Sequence, residues 1–212
     1  MFEGELEPGL YKISTSAIHA GDSAAQPAGW GLSAWNAHGA VRNASRLIPL
    51  SPSPTSPPSS LIWLPSRNSH SSWAAVHSGS RWPMVWNIQK STRTPGAYTI
   101  KTTYHKDGKQ LAGWGLSAWN AHGAARNSQS SRVAVHSGNH WLMDWTIAPS
   151  SRTPGAYTIK TTYHKDGNQP AGWGLTAWQK HGGHRSSQSS WVYVHSGNHW
   201  LMDWELERVG GK

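Results

Sequence analysis

The sequence predicts an all-β protein built from three copies of one unit, and three observations carry that prediction. A ten-residue stretch, His136-Ser137-Gly138-Asn139-His140-Trp141-Leu142-Met143-Asp144-Trp145, returns letter for letter at residues 195–204. A degenerate copy, His77-Ser78-Gly79-Ser80-Arg81-Trp82-Pro83-Met84-Val85-Trp86, precedes both. The steps from His77 to His136 and from His136 to His195 are each 59 residues, the fixed period of a repeated structural unit. Between these stretches, short runs of β-branched and aromatic residues alternate with Gly, Asp, Asn and Ser clusters, and no segment has a helical period.

Each unit opens alike. Pro8-Gly9-Leu10-Tyr11-Lys12-Ile13 is echoed by Pro95-Gly96-Ala97-Tyr98-Thr99-Ile100 and by Pro154-Gly155-Ala156-Tyr157-Thr158-Ile159. In the second unit the pattern predicts four strands. The first covers residues 98–104, where Thr, Ile and Tyr suit a pleated surface, and it ends near Asp107-Gly108, a favoured hairpin dipeptide. The others cover 114–119, 132–136 and 141–147. Successive side chains of a strand point to opposite faces, so Trp114, Leu116 and Ala118 share one face while Ser117 and Trp119 take the other. Trp141, Met143 and Trp145 likewise lie opposite Leu142 and Asp144. Trp114, Trp141 and Trp145 are therefore expected in the core, with Trp119 left outside it. In the third strand Val133 and Val135 point inward, which turns Arg132, Ala134 and His136 outward. The third unit has Trp191, Tyr193 and His195 at those positions, an outward aromatic row that a plain surface does not carry.

The first unit is interrupted. Trp30 to His77 is 47 residues against 22 from Trp114 to His136, and the 25 extra residues are 42–66. This insert holds Ser51-Pro52-Ser53-Pro54-Thr55-Ser56-Pro57-Pro58, a composition unable to join a sheet. It reads either as a loop between the second and third strands or as a retained intron. A transcript containing these codons identifies the loop, and one lacking them the intron. Asn43-Ala44-Ser45 within it is a glycosylation sequon, expected to stay bare without a secretory signal. The expected organisation is a leader at 1–7, one domain at 8–206 with repeats at about 8–92, 93–151 and 152–206, and a tail at 207–212.

Three units of four strands make twelve. The closed solution that removes every sheet edge is a β-trefoil, a six-stranded barrel capped by three hairpins with pseudo-threefold symmetry. A propeller also stacks four-stranded units, but it usually needs at least four blades and would have to close by dimerisation.

Composition narrows the function classes. With no cysteine, disulfide frameworks and thiolate metal sites are excluded, which favours a reducing compartment. The acidic start, Met1-Phe2-Glu3-Gly4-Glu5-Leu6-Glu7, lacks the positive charge and apolar run of a secretory signal, and no later stretch is apolar enough to span a bilayer. A soluble, cytoplasmic protein without membrane insertion is expected. A net charge of +9 attracts nucleic acid, anionic membranes or acidic glycans without choosing among them. Fifteen tryptophans beside one phenylalanine are more distinctive. Twelve occupy four equivalent places in the three units.

The unit opening Pro-Gly-x-Tyr-x-Ile and the unit ending Met143-Asp144-Trp145-Thr146-Ile147 resemble the fungal ricin-B-like β-trefoil lectins, whose units close on Gln-x-Trp before an apolar strand end. The resemblance spans residues 8–206. It departs where Met84, Met143 and Met202 replace the Gln. The resemblance implies a non-enzymatic carbohydrate-binding protein whose sugar pocket draws an aspartate from the first hairpin. Asp107 and Asp166 stand near that hairpin, although Asp-Gly serves equally as a turn signal.

The residues themselves point to the same chemistry. A sugar offers an apolar C–H face ringed by hydroxyls, so its site needs an aromatic plate with fixed donors and acceptors around it. Trp119-Asn120-Ala121-His122-Gly123 supplies such a group, echoed by Trp35-Asn36-Ala37-His38-Gly39 and by Trp178-Gln179-Lys180-His181-Gly182. Trp would stack, Asn or Gln would bridge hydroxyls, and His would donate or accept. The bland alternative makes these hairpin-turn residues, with the Trp folded over a neighbouring strand. Three shallow sites on one body gain by multivalency, and the third unit adds Trp191, Tyr193 and His195. His77, His136 and His195 could instead meet on the axis as three imidazole ligands for zinc or copper, or simply hydrogen-bond within turns. No carboxylate pair or activated nucleophile suggests an enzyme, and no cofactor is implied. Glycans or glycoproteins are thus the expected partners. Two alternatives are a protease inhibitor, acting through the insert or the 148–155 linker, and a basic nucleic-acid-binding module, disfavoured because Lys and Arg form no dense run.

Overall fold

The computed structural model describes residues 5–16, 28–34, 71–78, 84–103, 112–118, 130–136, 143–162, 171–177, 189–196 and 202–210. The insert at 42–66 and its sequon lie outside them. Fifteen strands and no helix occur among the described residues. The first unit contributes β1 (Gly9–Thr15), β2 (Gly31–Ser33), β3 (Ser71–Trp73), β4 (Ala75–His77) and β5 (Val85–Lys90). The second contributes β6 (Tyr98–Thr102), β7 (Gly115–Ser117), β8 (Ser130–Arg132), β9 (Ala134–His136) and β10 (Trp145–Pro149). The third contributes β11 (Tyr157–Thr161), β12 (Gly174–Thr176), β13 (Ser189–Trp191), β14 (Tyr193–His195) and β15 (Trp204–Arg208).

Six of these strands close a barrel. β1 pairs with β5, β5 with β6, β6 with β10, β10 with β11, β11 with β15, and β15 returns to β1, all antiparallel. Every barrel strand therefore has a partner on both sides, which removes the exposed edges that invite aggregation. Trp86, Trp145 and Trp204 are wholly buried inside. Each indole nitrogen donates to a backbone carbonyl, of Leu32, Leu116 and Leu175 respectively, at 3.0 Å. An indole N–H buried without an acceptor costs about 1–3 kcal/mol, so this bond lets the largest side chain occupy the core. Trp114 is only partly buried and packs against the core from its margin. Trp141 lies outside the described residues.

The remaining strands form a cap. β2, β7 and β12 leave the barrel and pair with β4, β9 and β14 of their own units. β3, β8 and β13 pair instead across units, with β9, β14 and β4 respectively. The third strand of each unit is therefore split in two, which is why fifteen strands appear where twelve are expected. The break falls at Ala74, Val133 and Val192. Ala74 N–H donates to Val133 O at 3.0 Å, Val133 N–H to Val192 O at 2.9 Å, and Val192 N–H to Ala74 O at 3.2 Å. These three residues, all with no exposed surface, form a closed ring of backbone hydrogen bonds that ties the units together.

Leu6 is buried, and its carbonyl accepts the Tyr98 hydroxyl at 2.9 Å, so this residue packs with the barrel. β15 runs past residue 206, with Tyr11 opposite Arg208, because closing the barrel requires a full-length partner for β1. Among the described residues no helix is long and apolar enough to cross a membrane.

Two repeated latches hold the linkers between units. Asp144 accepts Arg93 Nη2 at 2.6 Å and Thr94 Oγ1 at 2.7 Å. Asp203 accepts Arg152 Nη2 at 2.7 Å, Thr153 Oγ1 at 2.7 Å and Ser150 Oγ at 2.8 Å. Each linker then turns through Pro95-Gly96 or Pro154-Gly155, where the glycines take φ of 73° and 77°, a conformation other residues adopt at a cost. Burial pushes the Asp203 carboxyl up, but the bonds from Arg152, Thr153 and Ser150 together with the Arg152 charge outweigh it and hold the group below the usual carboxylate range. A carboxyl lowered on folding contributes stability that is present above its unfolded value and lost as pH falls through the folded one. Asp203→Asn should therefore cost about 1.5–3 kcal/mol at neutral pH, measured by urea denaturation, and the gap between variant and parent should narrow as the pH falls below the usual carboxylate range and through the lowered folded value.

Candidate functional site

Most of the expected site residues, Trp35, Asn36, His38, Asp107, Trp119, Asn120, His122, Asp166, Trp178, Gln179 and His181, lie outside the described residues. Their point of departure is described. The three Trp-Asn/Gln-x-His-Gly segments each begin directly after a wholly buried alanine, Ala34, Ala118 or Ala177. The backbone N–H of each alanine donates to the sulfur of Met84, Met143 or Met202, at 3.2, 3.1 and 3.4 Å. In the second and third units the alanine carbonyl is fixed as well, accepting Ser131 Oγ or Ser190 Oγ at 2.7 Å. Each of these methionines therefore acts as an acceptor just before a candidate segment, in addition to filling the core.

The hairpin into each root is built the same way. Thr15, Thr102 and Thr161 are buried, and their hydroxyls accept the backbone N–H of Trp30, Trp114 and Trp173 at 3.0 Å. Gly29, Gly113 and Gly172, just before these tryptophans, take φ between 76° and 83°. Neither the threonines nor these glycines stand out in the sequence reading, yet they recur in all three units, with the 59-residue step between the second and third.

The outward row requires correction. Tyr193 is 8% exposed and His195 only 2%; of the three, Trp191 alone keeps appreciable exposure. The face assignment holds, since Val192 and Val194 are wholly buried on the opposite face, but this face is not a free surface. β14 lies between two paired strands, with Tyr193 opposite Arg132 on one side and Thr176 on the other, and His195 opposite Ser130 and Gly174. Burial raises the Tyr193 hydroxyl above the ordinary phenol range, against a smaller lowering by the Arg132 charge. The Tyr193 and His195 rings lie 6.0 Å apart and tilted by 40°.

His77, His136 and His195 do not converge. Each sits at the outer end of its strand, opposite a glycine and a serine: Gly31 and Ser189, Gly115 and Ser71, Gly174 and Ser130. The ring of Ala74, Val133 and Val192 occupies the axis instead. Among the described residues no group of three His, Cys, Asp or Glu could hold a metal ion.

What does converge on the axis is a set of which sequence reasoning named Trp191 as a site residue and Arg132 only as an outward position, and missed Trp73. Trp73, Arg132 and Trp191 occupy the equivalent position in the three units, each immediately before a ring residue. The Arg132 guanidinium carbon lies 3.0 Å from the centroid of the Trp191 ring and 4.0 Å from that of Trp73. All three side chains are partly exposed. The signal lay in the alignment of the repeats, where one unit has Arg at a position that is Trp in the other two.

No family model, curated protein or solved structure matches this chain. Its function is therefore argued from its own geometry. The 148–155 linker is folded onto its own barrel, with Arg152 engaged by Asp203, an arrangement unlike a convex inhibitory loop that offers its side chain to a protease. Lys12, Lys90, Arg93 and Arg152 pair with carboxylates, which diminishes the charge open to a nucleic-acid backbone. Met143→Leu keeps the core volume but removes the acceptor for Ala118 N–H; it should cost about 1–3 kcal/mol, while Met143→Gln, which restores an acceptor, should cost less in the same urea titration.

Proposed function

We propose that this protein is a non-enzymatic carbohydrate-binding protein, a lectin of ricin-B-like type whose all-β barrel and cap form a β-trefoil. The observation that carries this reading is the threefold repetition of one Trp-Asn/Gln-x-His-Gly segment, each copy following directly in sequence on a buried alanine held by a methionine sulfur. Such rooting suits a sugar site, because a backbone fixed at the start of each segment reduces the freedom lost when an aromatic plate and its neighbouring donors meet a ligand. Three such loops on one rigid body suit clustered or branched glycans, where linked weak sites gain affinity by roughly 10²–10⁴. The family resemblance and the acceptor role of Met84, Met143 and Met202 support the same assignment. Glycoproteins are the proposed partners, met in the cytoplasm or after release from it.

The loops are unequal. The third replaces Asn-Ala with Gln-Lys, and the first stands beside the 42–66 insert, so the second and third loops are assigned the larger share of binding. Trp119→Ala together with Trp178→Ala should abolish binding on a glycan array while leaving the far-ultraviolet spectrum and the urea midpoint unchanged. Binding that survives high salt supports recognition of hydroxyls and C–H faces. A folded double variant with undiminished affinity contradicts the assignment.

A further inference from the structure

We propose that the centre of the cap is a fourth binding site, separate from the three repeated loops, and that it takes an acidic sugar. This deepens the glycan-binding reading and rests on it. Three units place equivalent residues around the hydrogen-bonded ring of Ala74, Val133 and Val192, so identical side chains would give a symmetric surface. The chain instead has Trp73 and Trp191 flanking Arg132. This breaks the threefold repetition at the one point where only a single ligand can bind.

The chemistry of the cluster defines its ligand. An indole face attracts a cation without neutralising it, so Arg132 keeps its charge while its position is fixed. Its Nε and Nη2 are buried, and the side chain as a whole remains partly exposed. The site therefore reads negative charge at close range beside two partly exposed indoles. An acidic sugar combines the two requirements, a carboxylate or sulfate for the guanidinium and C–H groups for the aromatic margins. The net charge of +9 aids the approach of such a ligand. Tyr193 of the neighbouring unit lies directly opposite Arg132 in the strand register, near enough to feel its charge. The ring beneath holds all these groups on fixed backbone, which limits the ordering cost of binding.

The test is calorimetric titration of the full chain at physiological salt with three oligosaccharides that differ only in the terminal residue: glucuronate, 6-sulfated glucose and glucose. The parent protein should prefer at least one acidic ligand over the neutral one, and the ratio of the two acids identifies which acid the site takes. Arg132→Gln should weaken the preferred acidic ligand by roughly 10- to 100-fold and leave the neutral ligand unchanged. Trp119→Ala with Trp178→Ala should do the reverse. Should Arg132→Gln fail to fold, the Arg132 side-chain resonance of the parent protein is followed by nuclear magnetic resonance, and it should shift with the acidic ligand but not with glucose. Equal affinity for acidic and neutral ligands, an unaffected Arg132→Gln variant, or an unmoved resonance overturns the axial site while leaving the loops intact. Acidic binding that depends on Arg132 without any neutral binding through the loops overturns the loop assignment and keeps the axial site. Absence of all binding overturns both.

Discussion

The closed ring of backbone hydrogen bonds among Ala74, Val133 and Val192 is the constraint on which the rest of the structure depends. Each residue gives one bond to a neighbouring unit and receives one from the other. No unit can complete this set alone, because two of the bonds join residues 59 apart in sequence and the third, from Val192 to Ala74, joins residues 118 apart. A buried peptide group left without its bond costs about 1–3 kcal/mol, so the ring couples the three units into one cooperative body. It also breaks each third strand into a half that pairs within its own unit and a half that pairs with the next.

Around that ring, polar groups take repeated roles. The tryptophans of the barrel donate to leucine carbonyls, the methionine sulfurs accept from the loop-root alanines, and the threonines accept from the hairpin backbone. Each bond lets a bulky or irregular element be buried without leaving a polar group unmet. Departures from the repetition are equally informative. Val85 stands where Asp144 and Asp203 occupy the other units, so this position of the first unit offers no carboxylate for an ionic latch. Arg132 stands between two tryptophans and gives the cap a direction that its backbone lacks.

Much of the fold was legible in the sequence because its signals are local or periodic. The 59-residue step and the alternation along residues 132–136 predict an all-β chain with a repeated unit, and the barrel and its repeated cap agree. The split of the third strand was not legible, since it arises from pairing between units and nothing in Arg132-Val133-Ala134 marks a break. For the same reason Tyr193 and His195 read as outward. Alternation assigns a side chain to a face, but only strand pairing across units decides whether that face meets solvent. The buried Asp144 and Asp203 read as a solvent face until their arginine partners 51 residues upstream are brought against them. The loop segments carry their chemistry in residue type, whereas the axial cluster carries it in the meeting of three single residues from three units.

Native-state hydrogen exchange at the amides of Ala74, Val133 and Val192 tests the account most directly. A ring that couples the units predicts that all three exchange with one common free energy, equal to that of global unfolding, and that all three fall together in a variant destabilised in any single unit. Fast exchange at one of these amides while the other two stay protected would contradict it, for then the units would open independently and the cap would not be a single body.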